Sequence, residues 1–212
     1  MAATRTPPIH ARKSPKQQRA TQLIEAVLEA AVQVLMVEGA QRFTTARVAE
    51  RAGVSVGSLY QYFPNKAAIL FRLQADEWRR TTALLSGILE QRDVPPPARM
   101  RQLVHAFVRS ECEEAAVRTA LADAAPLYRD APEAVAAKGE AARIYRAFVE
   151  EALPDVPEAA RNRAGDLIKM TLSQVGASFS ATPRSEAEIV AWSDAMADMF
   201  LAYLSALRGK TG

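Results

Sequence analysis

The residues best suited to chemistry with a partner molecule lie between positions 44 and 66, and most of them carry hydroxyl, phenol or cationic groups. Such groups donate hydrogen bonds to phosphate oxygens and to the edges of nucleic-acid bases. Small residues among them let a backbone approach the bases closely. The candidate DNA contacts are Thr44, Thr45, Arg47, Ser55, Val56, Gly57, Ser58, Tyr60, Tyr62 and Lys66.

Two short helices joined by a tight turn would position these groups. Thr44 or Thr45 can cap the first helix, because a hydroxyl there accepts a hydrogen bond from an unpaired amide. Gly53 can end it, since this type of helix end usually requires a positive φ. Ser55 is a suitable N-cap for the second helix, and Leu59 places an apolar side chain against the first. Together these features predict a helix-turn-helix.

A known family has this pattern. The stretch TTARVAERAGVSVGSLYQYFPNKAAIL, which begins at Thr44, resembles the DNA-binding signature of the TetR family of bacterial transcriptional repressors. The resemblance covers about residues 19–72. It implies an N-terminal three-helix DNA-binding domain and a larger helical C-terminal domain for ligand binding and dimerisation. It also implies that the matching serine, threonine, tyrosine and lysine positions contact the DNA backbone.

Composition and charge agree with a DNA-binding protein. The 212-residue chain carries a net charge of +3, but residues 1–66 hold nine Lys and Arg against four Glu, a net +5. Basic charge beside a helix-turn-helix is typical of a protein that binds a polyanion. Cys112 is the single cysteine, which excludes an internal disulfide and fits a reducing cytoplasm. We expect no membrane-spanning run and a cytoplasmic location.

Hydrophobic periodicity predicts an all-α chain with no strands. We expect a disordered basic arm over 1–14, the helix-turn-helix domain over 15–66, and a helical effector-binding and dimerisation domain over 67–212. A long helix starts at Lys66, and a run of three prolines after Val94 ends it. The later helices are predicted over 98–114, 115–124, 132–153, 155–181 and 185–208.

The last two helices are apolar on more than one side. They could be central core helices, or they could pair with their copies in a two-fold dimer. The resemblance favours a homodimer. The residues predicted to form its interface are Leu172, Val175, Gly176, Phe179, Trp192, Met196, Met199, Phe200 and Tyr203.

The C-terminal domain is larger than dimerisation alone requires, and helical bundles often enclose apolar pockets. By resemblance, this domain binds a small apolar effector. The candidate pocket residues are Trp78, His105, Phe107, Tyr128, Tyr145, Phe148 and Met170.

Together these features predict a regulator, expected to be a repressor, that binds a pseudo-palindromic operator as a dimer and is released by an effector. The alternatives are an architectural DNA-binding protein and a regulator that responds through the Cys112 thiol. An enzyme is not expected, because the sequence has no glycine-rich phosphate loop, no nucleophile elbow and no His/Cys set with metal-ligand spacing. We therefore predict no metal, no cofactor and no catalytic residue.

Overall fold

The computed structural model describes the chain at residues 15–124 and 132–209, and side chains at 18–39, 41–122 and 142–209. The described residues form helices and connecting turns, which confirms the all-α prediction. The helices are α1 Pro15–Arg42, α2 Thr45–Ala52, α3 Val56–Tyr60, α4 Lys66–Leu89, α5 Pro96–Glu113, α6 Ala115–Ala124, α7 Pro132–Ala152, α8 Glu158–Ser180 and α9 Glu186–Arg208.

The internal contacts divide the chain into unit 1, residues 1–70, and unit 2, residues 71–212. Helix α4 is continuous through this division. The sequence prediction placed the division at residue 66, at the start of the same helix. The predicted basic arm over 1–14 lies outside the described residues.

Unit 1 is a small bundle in which α1 packs on α2 and α2 packs on α3. Its core includes Val27, Leu35, Phe43, Val48 and Leu59, all of which are fully or almost fully buried. Helix α1 is interrupted near its end by Gly39, whose φ of 73° and ψ of 169° are not helical. Glycine adopts this backbone conformation without steric cost.

Helix α1 corrects one expectation about membranes. Residues Gln18–Gly39 are long and apolar enough to cross a membrane by length and composition alone, so the chain does contain a run of that size. Its apolar residues include Val27, Ala31 and Leu35, which are buried in unit 1. The core helix of a soluble protein can have the same composition, and packing against α2 accounts for these buried residues of α1.

Unit 2 is built around α5, which packs against α9, α8 and α7. Its core contains Met100, Leu103, Val104 and Val108 of α5, together with apolar residues of the three packed helices. The boundaries predicted from helical periodicity differ from the observed ones by a few residues. The Ser185 and Glu188 capping box at the start of α9 is present as predicted, with both reciprocal hydrogen bonds formed.

A buried arginine fixes the start of α5. Arg99 is completely buried, and its guanidinium donates to the carbonyl oxygens of Leu89 at 2.6 Å and Val94 at 2.8 Å. It also forms an ion pair with Glu151 of α7 and lies 5.4 Å from the centre of the Phe148 ring. A single side chain therefore connects the end of α4, the turn that follows it, and α7.

Candidate nucleic-acid interface and ligand cavity

The turn between α2 and α3 is held by the caps that the sequence predicts. The Thr44 hydroxyl accepts a hydrogen bond from the Arg47 amide at 3.3 Å. Gly53 adopts φ 66° and ψ 29°, the left-handed conformation that glycine favours, and its amide bonds to the end of α2. The Ser55 hydroxyl accepts from the Ser58 amide at 3.0 Å. These bonds set the corner that positions α3.

The surface of α3 leaves the predicted contact groups accessible. Leu59 is fully buried in the core of unit 1, whereas Ser55, Val56 and Gly57 are exposed at the start of the helix. Tyr60 is about half exposed, and its phenol oxygen lies 3.2 Å from the Thr45 hydroxyl. Hydroxyl groups from the start of α2 and the end of α3 thus lie side by side on one surface.

Two further predicted groups follow α3. Tyr62 is exposed, and Lys66 is exposed in the first turn of α4. Asn65 caps that helix, because its side-chain oxygen accepts from the Ala68 amide at 2.9 Å. Phe63 is buried, as expected for a core aromatic. A helix N-terminus with an adjacent ammonium group attracts anions, and phosphate is one.

Arg47 has a partner that the sequence did not predict. Its guanidinium forms an ion pair with Glu38 of α1, so it is not directed freely at a ligand. Arg51 similarly donates to the Gln33 side-chain oxygen at 2.6 Å. Both bonds join residues distant in sequence, and local periodicity cannot reveal them.

Unit 2 contains a cavity of about 580 Å³, which is within the usual size range of small-molecule sites. Three of the predicted pocket residues, Trp78, Phe107 and Tyr145, line it. Its other lining residues are Gln74, Glu77, Thr81, Thr82, Leu85, Ser86, Leu89, Leu103, Glu111, Arg118, Ala142, Ile144, Lys169, Leu172 and Ser173.

Three predicted pocket residues do not belong to this lining. Phe148 is buried in the helix core beneath Arg99, and Met170 is 64% exposed on the outer side of α8. His105 bonds instead to Asp194 of α9, with 2.9 Å between Nε2 and the carboxylate oxygen. Helical periodicity does not tell which neighbour covers a given face, so it could not separate these three from the residues that line the cavity. Tyr128 lies outside the described residues.

One end of the cavity is charged. Arg118 of α6 forms ion pairs with Glu111 of α5 and, at 3.0 Å, with Glu77 of α4. Its guanidinium also lies 2.9 Å from the Ser110 hydroxyl oxygen. Burial lowers the pKa of Arg118, although the adjacent Glu77 carboxylate opposes that shift. The sequence analysis did not single out Arg118. Burial of Glu77 could have been found, because Glu77 lies four residues after the buried Leu73 on the same helix face.

Helix α8 packs closely against three residues that line the cavity, Phe107, Glu111 and Tyr145. Gly176 packs against Phe107 and Glu111 so closely that an added Cβ would lie 2.9 Å from Phe107 Cε1. Tyr145 donates a hydrogen bond to the Gly165 carbonyl at 3.2 Å, and burial raises its pKa well above the usual value. The phenol therefore remains a neutral donor at physiological pH.

The predicted interface residues of α8 and α9 divide into two groups. Leu172, Gly176, Phe179, Met196 and Phe200 are buried within the chain itself, and Leu172 lines the cavity. These five are covered by their own chain, so their place in an interface between two copies stays a prediction. Trp192 and Met199 are 49% and 51% exposed, while Val175 and Tyr203 are partly buried.

The exposed side of these two helices is largely apolar or small. On α9 its residues recur every three or four positions, and on α8 they do the same. The exposed residues are Trp192, Ala195, Met199, Ala202 and Ala206 on α9, and Leu167, Met170, Gln174 and Ala177 on α8. Such spacing is typical of a seam between packed helices.

Among the residues that the structure describes, no group of three or more His, Cys, Asp or Glu side chains could hold a metal ion. Cys112 is a free, partly buried thiol. Burial raises its pKa, which reduces the thiolate fraction at neutral pH.

Two sequence models match the chain. Residues 27–73 match "Bacterial regulatory proteins, tetR family", and residues 95–207 match "Tetracyclin repressor-like, C-terminal domain". A curated relative, the nucleoid occlusion factor SlmA of Vibrio campbellii, is 50% identical over 44 residues. That match covers 20% of this chain and 22% of SlmA, so the chain spans about a fifth of that relative's length.

Solved structures share the fold. A transcriptional regulator of Aquifex aeolicus is similar with a TM-score of 0.65 and 16% identity, over 85% of this chain and 99% of the other. The transcriptional regulator FadR of Bacillus subtilis, solved in complex with stearoyl-CoA, is similar with a TM-score of 0.61 and 16% identity, over 83% of this chain and 96% of the other. Identities this low establish the fold alone. Together with the two sequence models, which cover most of the chain, they show that this protein belongs to the TetR family of bacterial transcriptional regulators.

Proposed function

We propose that this regulator is a cytoplasmic repressor that binds a pseudo-palindromic operator as a homodimer and is released when a small, largely apolar molecule occupies the unit 2 cavity. The observation that carries the proposal is the exposed, small-residue start of α3 beside the hydroxyl groups of α2. The cavity in the other unit supplies a place for an effector.

Small side chains at Ser55, Val56 and Gly57 would let α3 enter the major groove, which is about 12 Å wide. The paired hydroxyls of Thr45 and Tyr60 are suited to phosphate oxygens. Tyr62 and Lys66 would make further backbone contacts. Thr44 and Ser58 take part in the caps, and they would hold the backbone amides of α2 and α3 near the DNA. Arg47 would first have to leave Glu38.

A single helix-turn-helix reads few base pairs, so a symmetric partner is required for a specific operator. The exposed apolar seam of α8 and α9 would form the dimer interface, and Trp192, Ala195 and Met199 lie near the middle of its α9 portion. Two-fold pairing of two helices from each protomer gives a four-helix bundle. The recognition helices would then lie about 34–36 Å apart or a multiple of that distance.

Fluorescence anisotropy with a labelled duplex from upstream of the protein's own gene tests DNA binding. We expect Lys66→Ala to reduce the salt slope by about one, because one phosphate contact is lost. Tyr62→Phe should weaken binding about fivefold, the effect of one neutral hydrogen bond, with base preference unchanged. Arg146→Ala, which removes an exposed cation of unit 2, is the control and should change neither quantity. A changed base preference at unchanged affinity would contradict these roles.

Sedimentation velocity tests the dimer. Ala195→Arg places a charge in the middle of the exposed seam and should yield monomers, because burying an unpaired charge is costly. Thr119→Arg adds the same charge to an exposed site on α6 and should leave the sedimentation coefficient of the dimer unchanged. A monomeric wild type would exclude the proposed interface.

Two alternatives remain distinguishable by experiment. A regulator responding through Cys112 would lose DNA in the presence of peroxide, but the raised pKa of that thiol argues against rapid oxidation. An architectural protein would bind DNA without an effector, as a nucleoid factor such as SlmA could. A cavity of about 580 Å³ favours the effector-responsive regulator.

A further inference from the structure

The charged end of the cavity restricts the chemistry of its ligand. Two almost fully buried carboxylates, Glu77 and Glu111, line it and share one cation, Arg118. Glu77 also accepts from Gln74 at 2.8 Å and from the Thr81 hydroxyl at 3.2 Å. The three charges come from three different helices, α4, α5 and α6.

The terminal nitrogens of Arg118 are already occupied. One bonds to Glu111, and the other contacts Glu77, Ser110 and, at 3.5 Å, Glu114. An anionic ligand would have to displace a carboxylate, which would then be buried without its partner, at high cost.

The balance of charge at this end is negative. Glu77, Glu111 and Glu114 face Arg118, and the exposed Arg80 lies 4.0 Å from Glu114. Arg80 is largely solvated, so its charge is screened. Burial raises the pKa of Glu114; the charge of Arg80 opposes this shift, and the charges of Glu77 and Glu113 add to it. A ligand cation would supply compensating positive charge.

The rest of the wall suits the body of such a ligand. Trp78, Phe107 and Tyr145 present aromatic surfaces to the cavity, alongside Leu85 and Leu103. Organic cations bind aromatic faces through the ring quadrupole and bury their alkyl parts against apolar side chains.

We propose that the effector is an amphipathic organic cation, an amine or quaternary ammonium compound, whose charged group lies by Glu77 and Glu111 and whose apolar body fills the aromatic part of the cavity. The assignment rests on the proposed effector site, but ligand binding can be measured without DNA. Lys169 also lines the cavity, yet it is exposed on α8 and remains solvated.

Calorimetry with three probes of equal chain length tests the charge preference on the wild-type protein. The probes are decyltrimethylammonium, decan-1-ol and decanoate. We expect the ammonium probe to bind about tenfold more tightly than the alcohol, since a charged partner strengthens the interaction with each carboxylate, and decanoate to bind most weakly.

Variants locate the cation. Glu77→Gln and Glu111→Gln should each reduce affinity for decyltrimethylammonium about tenfold and leave affinity for decan-1-ol within about twofold. Glu113→Gln removes an exposed carboxylate two residues from Glu111 and is the matched control, expected to have no effect. Circular dichroism confirms that each variant is folded, and the wild-type probe comparison does not depend on any variant.

Several outcomes would overturn the assignment. These are tighter binding of decanoate, decanoate binding lost in Lys169→Gln, equal affinity for all three probes, or no binding of the ammonium probe. If decyltrimethylammonium binds as predicted but does not release the operator duplex, the ligand class stands and the proposed effector-controlled release fails.

Discussion

Gly176 gives a direct test of the cavity wall. A methyl group at this position would lie 2.9 Å from Phe107 Cε1 and 3.2 Å from Glu111 Cγ. Both side chains also line the cavity. In Gly176→Ala, the Phe107 ring must therefore shift away from α8, and the cavity is the space available to it.

The expected change in stability follows from two opposing effects. Replacing glycine by alanine within a helix stabilises the folded state by about 1 kcal/mol. Overpacking a tight contact costs about 1–3 kcal/mol. We expect a net loss of roughly 1 kcal/mol in the free energy of unfolding, from the sum of these two effects.

Gly165 provides the matched control. It is also buried on α8, but an added Cβ there would meet Val149 at 3.4 Å and Tyr145 at 3.5 Å, which are ordinary contacts. Gly165→Ala should therefore raise the free energy of unfolding by about 1 kcal/mol, the helix-propensity gain alone.

Urea unfolding at fixed protein concentration measures both values, since the stability of the proposed dimer would depend on concentration. The two variants should differ by about 2 kcal/mol and shift in opposite directions. The packing argument is refuted if Gly176→Ala is as stabilising as Gly165→Ala.

Three other results are expected. Arg99→Met should lower the free energy of unfolding by about 3–5 kcal/mol, because Glu151 and two carbonyl groups lose their donor. The control Arg92→Met removes an exposed partner of Glu151 and should lower it by less than about 1 kcal/mol. Urea unfolding measures both values. The hydrogen bond from Arg99 lowers the pKa of Glu151. The pair therefore stabilises the fold fully above the ordinary glutamate pKa of 4.5, and this contribution is lost as pH falls through the lower pKa of the folded state. Acid unfolding of the wild type compared with Arg99→Met would detect the loss. Ser185→Ala removes the capping box with Glu188 and should lower the free energy of unfolding by about 1 kcal/mol, which a lower melting temperature would show. An unchanged melting temperature would contradict the role of this cap.

Local signals in the sequence predicted much of the fold. Gly53, Ser55 and the Ser185–Glu188 pair act on backbone groups within a few residues, so their types and spacing suffice to place helix ends. Helical periodicity similarly placed the helices of unit 2. These features depend on short-range geometry, which a single sequence contains.

The cavity depended on long-range contacts and was predicted in part. Trp78, Phe107 and Tyr145 were expected and line it, whereas His105 pairs with Asp194, which is 89 positions away in the chain. Arg118 was not expected at the cavity, because its partner Glu77 lies 41 positions earlier in the chain and its nearer partners Glu111 and Glu114 show only that it is paired, not that it borders a cavity. Periodicity shows that a helix face is apolar, but not whether its own chain or a second copy covers it.

Arg99 holds together helices of the cavity wall without being part of the lining that a ligand would contact. Its bonds reach the end of α4 and Glu151 of α7, helices that contribute to the cavity wall, yet Arg99 itself does not line the cavity. Partly exposed wall residues such as Thr82 and Leu85 can therefore be exchanged while the anchor that registers these helices is kept. This arrangement makes the protein a practical starting scaffold for biosensors, in which the recognised compound is altered by substituting the wall alone.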